Sequence, residues 1–192
     1  MPVKTWIGSE LNPLDGLFTL NEACLSEIGN AVSLIRDNPL PLLMLCPSNF
    51  HMPKCKELIN TVFDCLENGF GFCLLDRLPL EDMTDNEAKS IYWLLSQMLG
   101  RPVAQKWCDG RMLYSVTDLG RPSGNGVRPD VTNEEQSFHT DNSYNICPPN
   151  IVGLLCLQPS MSGGLSRVVN MKTVLERMET SNKIHIQRLY RP

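Results

Sequence analysis

Helix-period patterning in this 192-residue chain is confined to the first hundred residues and one short stretch near the end. Between them lie successive runs with strand character and no helix to separate most of them. Helices first and strands after make an α+β fold rather than an alternating βαβ one. Thr19-x-x-Glu22 and Thr84-x-x-Glu87 have the form of capping boxes. Leu25, Ile28, Val32 and Ile35 follow the first and predict a helix over about 20–37, ended by Asn38-Pro39. Pro53 can open a second helix, with Leu58, Ile59, Val62, Phe63 and Leu66 inward and Asn68-Gly69 at its end. A third carries Ile91, Leu94, Leu95, Met98 and Leu99 and stops at Gly100-Arg101-Pro102. Residues 1–18 read as irregular. Strands are predicted over 42–46, 70–75, 103–107, 112–117, 136–142, 151–157 and 166–170, and a last helix over 171–178. The Gly-, Pro- and Arg-rich stretch 118–135 reads as a long loop of the kind that serves as a lid.

A chain of this length can bury one core, so a single domain is expected over 1–192. The helical part is 1–69 and the strand-rich part 70–192. A net charge of −4 leaves no basic surplus for phosphates, which argues against nucleic acid as a partner. Eight cysteines include no C-x-x-C pair, and Cys24, Cys65, Cys73 and Cys156 lie within apolar segments, as small core residues do. No apolar run is long enough to cross a bilayer, and Met1-Pro2-Val3-Lys4 lacks a signal-peptide pattern. The expectation is a reduced, cytoplasmic protein without a membrane partner.

Chemistry concentrates in Gln136-Ser137-Phe138-His139-Thr140-Asp141-Asn142. In a strand, residues two apart share a face, so His139 and Asp141 would project together, roughly 6–7 Å apart at the Cα atoms. One imidazole and one carboxylate are two thirds of the facial triad that holds non-haem Fe(II). Taken alone, His-x-Asp reads first as a half-buried strand whose polar residues merely face solvent; its sequence context changes that.

That context resembles the taurine dioxygenase (TauD/TfdA-like, clavaminate-synthase-like) family. Gly71-Phe72-Cys73-Leu74-Leu75, Leu99-Gly100, Gln105, His139-Thr140-Asp141, Pro148-Pro149, the apolar run 151–157 and Gly163-Gly164-Leu165-Ser166 fall in the family's order. The resemblance covers roughly residues 58–180. It implies a double-stranded β-helix, a jelly-roll-like barrel with helices outside, of which this chain holds the first part. It implies Fe(II) as cofactor, 2-oxoglutarate as cosubstrate and O₂ as oxidant, with a small molecule hydroxylated or desaturated. His139 and Asp141 are then metal ligands and catalytic residues, and Ser166 binds the distal carboxylate of 2-oxoglutarate, where relatives more often carry Thr. Members that halogenate have lost the carboxylate ligand, which Asp141 retains.

The family pattern also requires a second histidine and an arginine, both far downstream. Of the remaining histidines, His51 precedes the strand region as a loop or cap residue. His185 is followed too closely by Arg188 and Arg191 to fit. The expectation is therefore a fragment lacking the C-terminal half of the barrel. The alternatives are a shortened non-catalytic binding or scaffold relative, or an unrelated α+β domain whose His-Thr-Asp is accidental; at this length alone, a homo-oligomer is expected to cover the open sheet edge. Asn142 and Tyr144 read as pocket residues or equally as a turn residue and a core aromatic, and Gln105 sits where the family carries a pocket-facing polar residue. Arg111, Arg121 and Arg128 flank the lid, and Trp107 and Tyr114 read as core.

Overall fold

Asn21, not Thr19, starts the first long helix: its side chain accepts from the Cys24 N–H at 2.9 Å. Thr19 is unavailable as a cap because it ends a short strand, β1 (Leu17–Thr19), in the stretch expected to be irregular. The computed structural model describes residues 4–105, 109–122, 124 and 126–191, so Trp107 and part of the 103–107 segment lie outside it. Helix α1 (Glu22–Asp37) buries Cys24, Ile28, Ala31, Val32 and Ile35 along one face. Prolines at 41 and 47 bracket the run expected to be a strand over 42–46, and Leu42–Met44 form a 3₁₀ turn instead.

Helix α2 (Pro53–Asn68) opens on its proline, and its cap residue Met52 offers no side-chain acceptor. Glu27 of α1 supplies one, accepting from the Lys54 and Cys55 N–H groups, each at 2.9 Å. Burial pushes the Glu27 carboxyl up, but the Cys55 and Lys54 N–H bonds outweigh it and leave it below its usual range. The buried stripe of α2 is Cys55, Ile59 and Val62; Phe63 turns outward. Gly69 caps the end of α2, and the chain turns into strand β2 (Leu74–Asp76). This is shorter than the buried strand expected over 70–75. It pairs in parallel with β1, Leu17 opposite Leu74, in a two-stranded sheet that leaves Leu74 exposed. Gly16, at φ +73, lets the β1 backbone come close to Phe72, where a Cβ would touch the ring and its carbonyl.

Helix α3 (Asp85–Leu99) begins with the expected capping box at Thr84 and Glu87. It buries Ile91, Trp93, Leu94, Leu95 and Met98. The Trp93 indole donates to the Leu45 carbonyl at 3.2 Å, and the Lys56 ammonium donates to the Met98 carbonyl at 2.8 Å near the helix end. Glu87 also binds Arg36 of α1, Oε1 to Nε at 2.6 Å. The Arg36 guanidinium first, and the Thr84 N–H second, hold the Glu87 carboxyl at about 2 instead of 4.5. A carboxylate with a depressed folded pKa adds stability above its unfolded pKa and loses it as pH falls toward the folded value. Glu87 thus contributes fully above about pH 4.5 and nothing below about pH 2. In urea unfolding as a function of pH, Glu87→Gln is expected to lose stability less steeply than the wild type across that window.

Contacts group residues 1–100 and 169–192 into one unit and 101–168 into another. In the first, α1, α2 and α3 pack pairwise. Asn170 caps α4 (Met171–Ser181), accepting from the Thr173 N–H while its amide donates to the Lys4 carbonyl, both at 2.9 Å. A short helix not foreseen in the sequence, α5 (Lys183–Leu189), follows.

The second unit departs most from expectation. Among its described residues the only regular element is the 3₁₀ turn Pro129–Val131. The expected strands at 112–117, 136–142 and 151–157, and the 166–170 run that leads into α4, carry no ladder. A strand forms only where a neighbour takes up its N–H and C=O groups. Here most apolar side chains of those runs face solvent: Phe138 is 65% exposed and Leu154 80%. Cys156, expected in the core, is exposed for the same reason, whereas Cys24 and Cys55 are buried. Burial pushes the Cys55 thiol well up, with Cys24 beside it adding to the effect. Among the described residues no helix is long and apolar enough to cross a membrane.

Candidate metal centre

Positive φ favours glycine, and among the described residues Asn142 alone adopts it with a side chain, at φ 51. Its amide oxygen accepts from the Tyr144 hydroxyl at 3.0 Å, and its carbonyl accepts from the Asn145 N–H at 2.9 Å. These contacts close a turn over 141–144. His139 and Asp141, foreseen as strand neighbours, therefore sit where extended backbone enters a turn. Their side chains approach all the same, with Nε2 of His139 3.3 Å from Oδ1 of Asp141.

The other ring nitrogen fixes what that distance means. His139 Nδ1 lies 2.8 Å from the Ser137 carbonyl oxygen. A carbonyl can only accept, so Nδ1 carries a proton, and in the neutral ring Nε2 then presents a lone pair. A lone pair and a carboxylate oxygen facing each other at this distance call for a cation between them: a second proton or a metal ion. Cis ligands on an octahedral ion with bonds of about 2.1 Å sit about 3 Å apart, close to the spacing here. Both side chains are 49% exposed, so the pair is open to solvent and adds little to stability as an ion pair. The donor set fits two positions of the facial triad. Among the described residues no group of three or more His, Cys, Asp and Glu gathers as a metal cage.

Ser166 lies exposed on unpaired backbone just past Gly163-Gly164, and among the described residues no hydrogen bond ties it to His139 or Asp141. His51 is exposed and immediately precedes the α2 cap; His185 is on α5 in the helical unit. Gln105 is exposed, its amide donating to the Val103 carbonyl at 3.2 Å. Arg111 pairs with Asp109 at 3.2 Å, and Arg121 is exposed.

Sequence reasoning missed Asp130, which gathers two residues that it had named separately. Asp130 Oδ1 accepts from Arg128 Nε at 2.8 Å, and the Asp130 side chain also accepts from the Tyr114 phenol. Burial pushes the Asp130 carboxyl up, yet the Arg128 and Tyr114 hydrogen bonds outweigh it and hold it below its usual range. The same carboxylate pushes the Tyr114 phenol up. The signal was Arg128-Pro129-Asp130, where proline starts a 3₁₀ turn tight enough for residues two apart to meet. Arg128, which flanks the expected lid, is thus neutralised within its own loop.

Comparison with known proteins gives two findings. Residues 38–192 match the family described as taurine catabolism dioxygenase TauD, TfdA family. The chain is also 29% identical over 149 residues to FR-33289 synthase of Streptomyces rubellomurinus (strain ATCC 31215), an alignment covering 77% of this chain and 42% of that protein. The chain thus spans about two fifths of the length of the curated relative it matches.

Proposed function

The chain belongs to the taurine catabolism dioxygenase TauD, TfdA family, and from that premise we propose that it forms part of an Fe(II)- and 2-oxoglutarate-dependent oxygenase that hydroxylates or desaturates a small molecule. The observation that carries this reading is the 3.3 Å approach of His139 Nε2 and Asp141 Oδ1, with the Nδ1 proton already committed to the Ser137 carbonyl. Imidazole nitrogen and carboxylate oxygen are donors suited to Fe(II), and these two residues would hold it. When bound with 2-oxoglutarate and O₂, the metal supplies the oxidising power for attack on a C–H bond, and 2-oxoglutarate leaves as succinate and CO₂.

What remains for the protein is positioning. The Ser137 carbonyl fixes the tautomer and plane of the His139 ring, as outer partners of ligating histidines do. Ser166 would donate its hydroxyl to the distal carboxylate of 2-oxoglutarate. The third ligand and the arginine that pairs with this carboxylate are assigned to polypeptide outside these 192 residues. The extended runs at 112–117, 136–142, 151–157 and 166–170 are assigned to the first part of a double-stranded β-helix, with 1–69 as outer helices of the same domain. Their exposed apolar side chains support that assignment.

The reading is tested by assaying the full-length protein for Fe(II)-dependent release of succinate from 2-oxoglutarate. Absence of turnover, with small-molecule binding that survives Asp141→Ala, would favour a barrel kept as a binding scaffold. Within the oxygenase reading, Ser166→Ala removes one hydrogen bond to a charged group and is expected to raise the KM for 2-oxoglutarate about tenfold. Its kcat is expected to change little, because that carboxylate is remote from the bonds that break.

A further inference from the structure

We infer that Asn142 is a positioning residue for the Asp141 carboxylate, through the turn that its left-handed backbone and its bond to Tyr144 hold in place. The inference rests on the metal-binding reading of His139 and Asp141 and adds to it the device that holds the second ligand. His139 is steadied from the chain before it, by the Ser137 carbonyl at 2.8 Å. Among the described residues no upstream backbone group hydrogen-bonds Asp141, which meets only the His139 ring at 3.3 Å; what constrains its backbone is the turn that it enters. At φ 51, Asn142 reverses the chain directly after the carboxylate, a conformation most side chains resist and Asn tolerates. The turn is then pinned twice, by Asn145 N–H on the Asn142 carbonyl and by the Tyr144 hydroxyl on its amide oxygen. A residue that prefers φ < 0 at this position would reopen the turn and release the Asp141 backbone. The sequence gives no hint of this, since Asn after His-x-Asp reads simply as a polar turn residue.

The experiment is a Co(II) titration of the full-length protein followed by visible absorption; Co(II) takes the same imidazole and carboxylate donors as Fe(II). Asn142→Val, Asn142→Ala, Asn142→Gly and Asp141→Ala are compared, with urea midpoints recorded for each. Asn142→Val and Asn142→Ala are expected to bind Co(II) about tenfold more weakly than the wild type, in the range that loss of an outer partner costs. Asn142→Gly, which keeps access to the left-handed region, is expected to stay within about threefold. A general packing role would not be rescued by removing the side chain. Wild-type affinity in Asn142→Val or Asn142→Ala, with binding lost in Asp141→Ala, would overturn this inference and leave the metal reading standing. Wild-type affinity in Asp141→Ala would overturn the metal reading and this inference with it.

Discussion

Replacing either His139 or Asp141 by Ala in the full-length protein is expected to lower Fe(II) affinity by more than about a hundredfold, because losing even an outer partner of a ligand costs about 10–100-fold. The two effects should be of similar size, since each removes one donor from the same pair, 3.3 Å apart. They should also be strongly non-additive. With one donor gone the facial triad is already incomplete, so the double variant should bind about as weakly as either single one. His185→Ala serves as the control. That residue is on α5 in the helical unit, and its removal is expected to leave metal affinity unchanged. Iron content after gel filtration, together with competitive titration, measures all four.

Leu94→Ala is expected to destabilise the helical unit by about 2–5 kcal/mol, the cost of deleting a fully buried leucine whose surroundings cannot collapse into the space. Leu94 has no exposed surface and lies on the inward face of α3 with Ile91, which is likewise fully buried. Ile28 of α1 is also fully buried, and α1, α2 and α3 pack pairwise, so a cavity here loosens the helical core. At about 3 kcal/mol the melting temperature should fall by about 10 °C for a unit of this size. Phe63→Ala is the matched comparison. Phe63 is 43% exposed, and its loss is expected to cost about 1 kcal/mol or less despite the larger side chain. Calorimetry of the two variants separates a buried stripe from one drawn by periodicity alone.

That contrast shows how far the sequence could be read. Helices α1, α2 and α3 were legible because spacing and caps are local: Pro53 opens α2 and Thr84 with Glu87 opens α3 as expected. Periodicity set the stripe of α2 too wide, because it cannot tell which edge of an amphipathic face meets a neighbour: Phe63 falls on the open edge, Leu58 and Leu66 are half-buried, and Cys55 is buried instead. Thr19 was misread because its pattern suits a cap, while its pairing with Asp76 on β2 is non-local. The strands after residue 100 failed more completely. Alternation at 136–142 and the apolar run at 151–157 state a preference that only a neighbouring strand can satisfy, and among the described residues none pairs with them. At the candidate centre the residues were legible but not their setting. His139 and Asp141 were named from a strand's period of two, yet they meet at the mouth of a turn closed by Asn142, which also reads as a turn residue in the sequence, and by Tyr144, which reads as a pocket or core aromatic. Asp130 was missed because nothing in a loop's composition says which carboxylate will fold back on which arginine.

Succinate formation from 2-oxoglutarate by the full-length protein, compared with its His139→Ala and Asp141→Ala variants at saturating Fe(II), tests the central claim most directly. Turnover in the wild type that disappears in both variants, while their urea midpoints stay unchanged, is the predicted result. Undiminished turnover in both would contradict the assignment of this imidazole and this carboxylate to one metal ion.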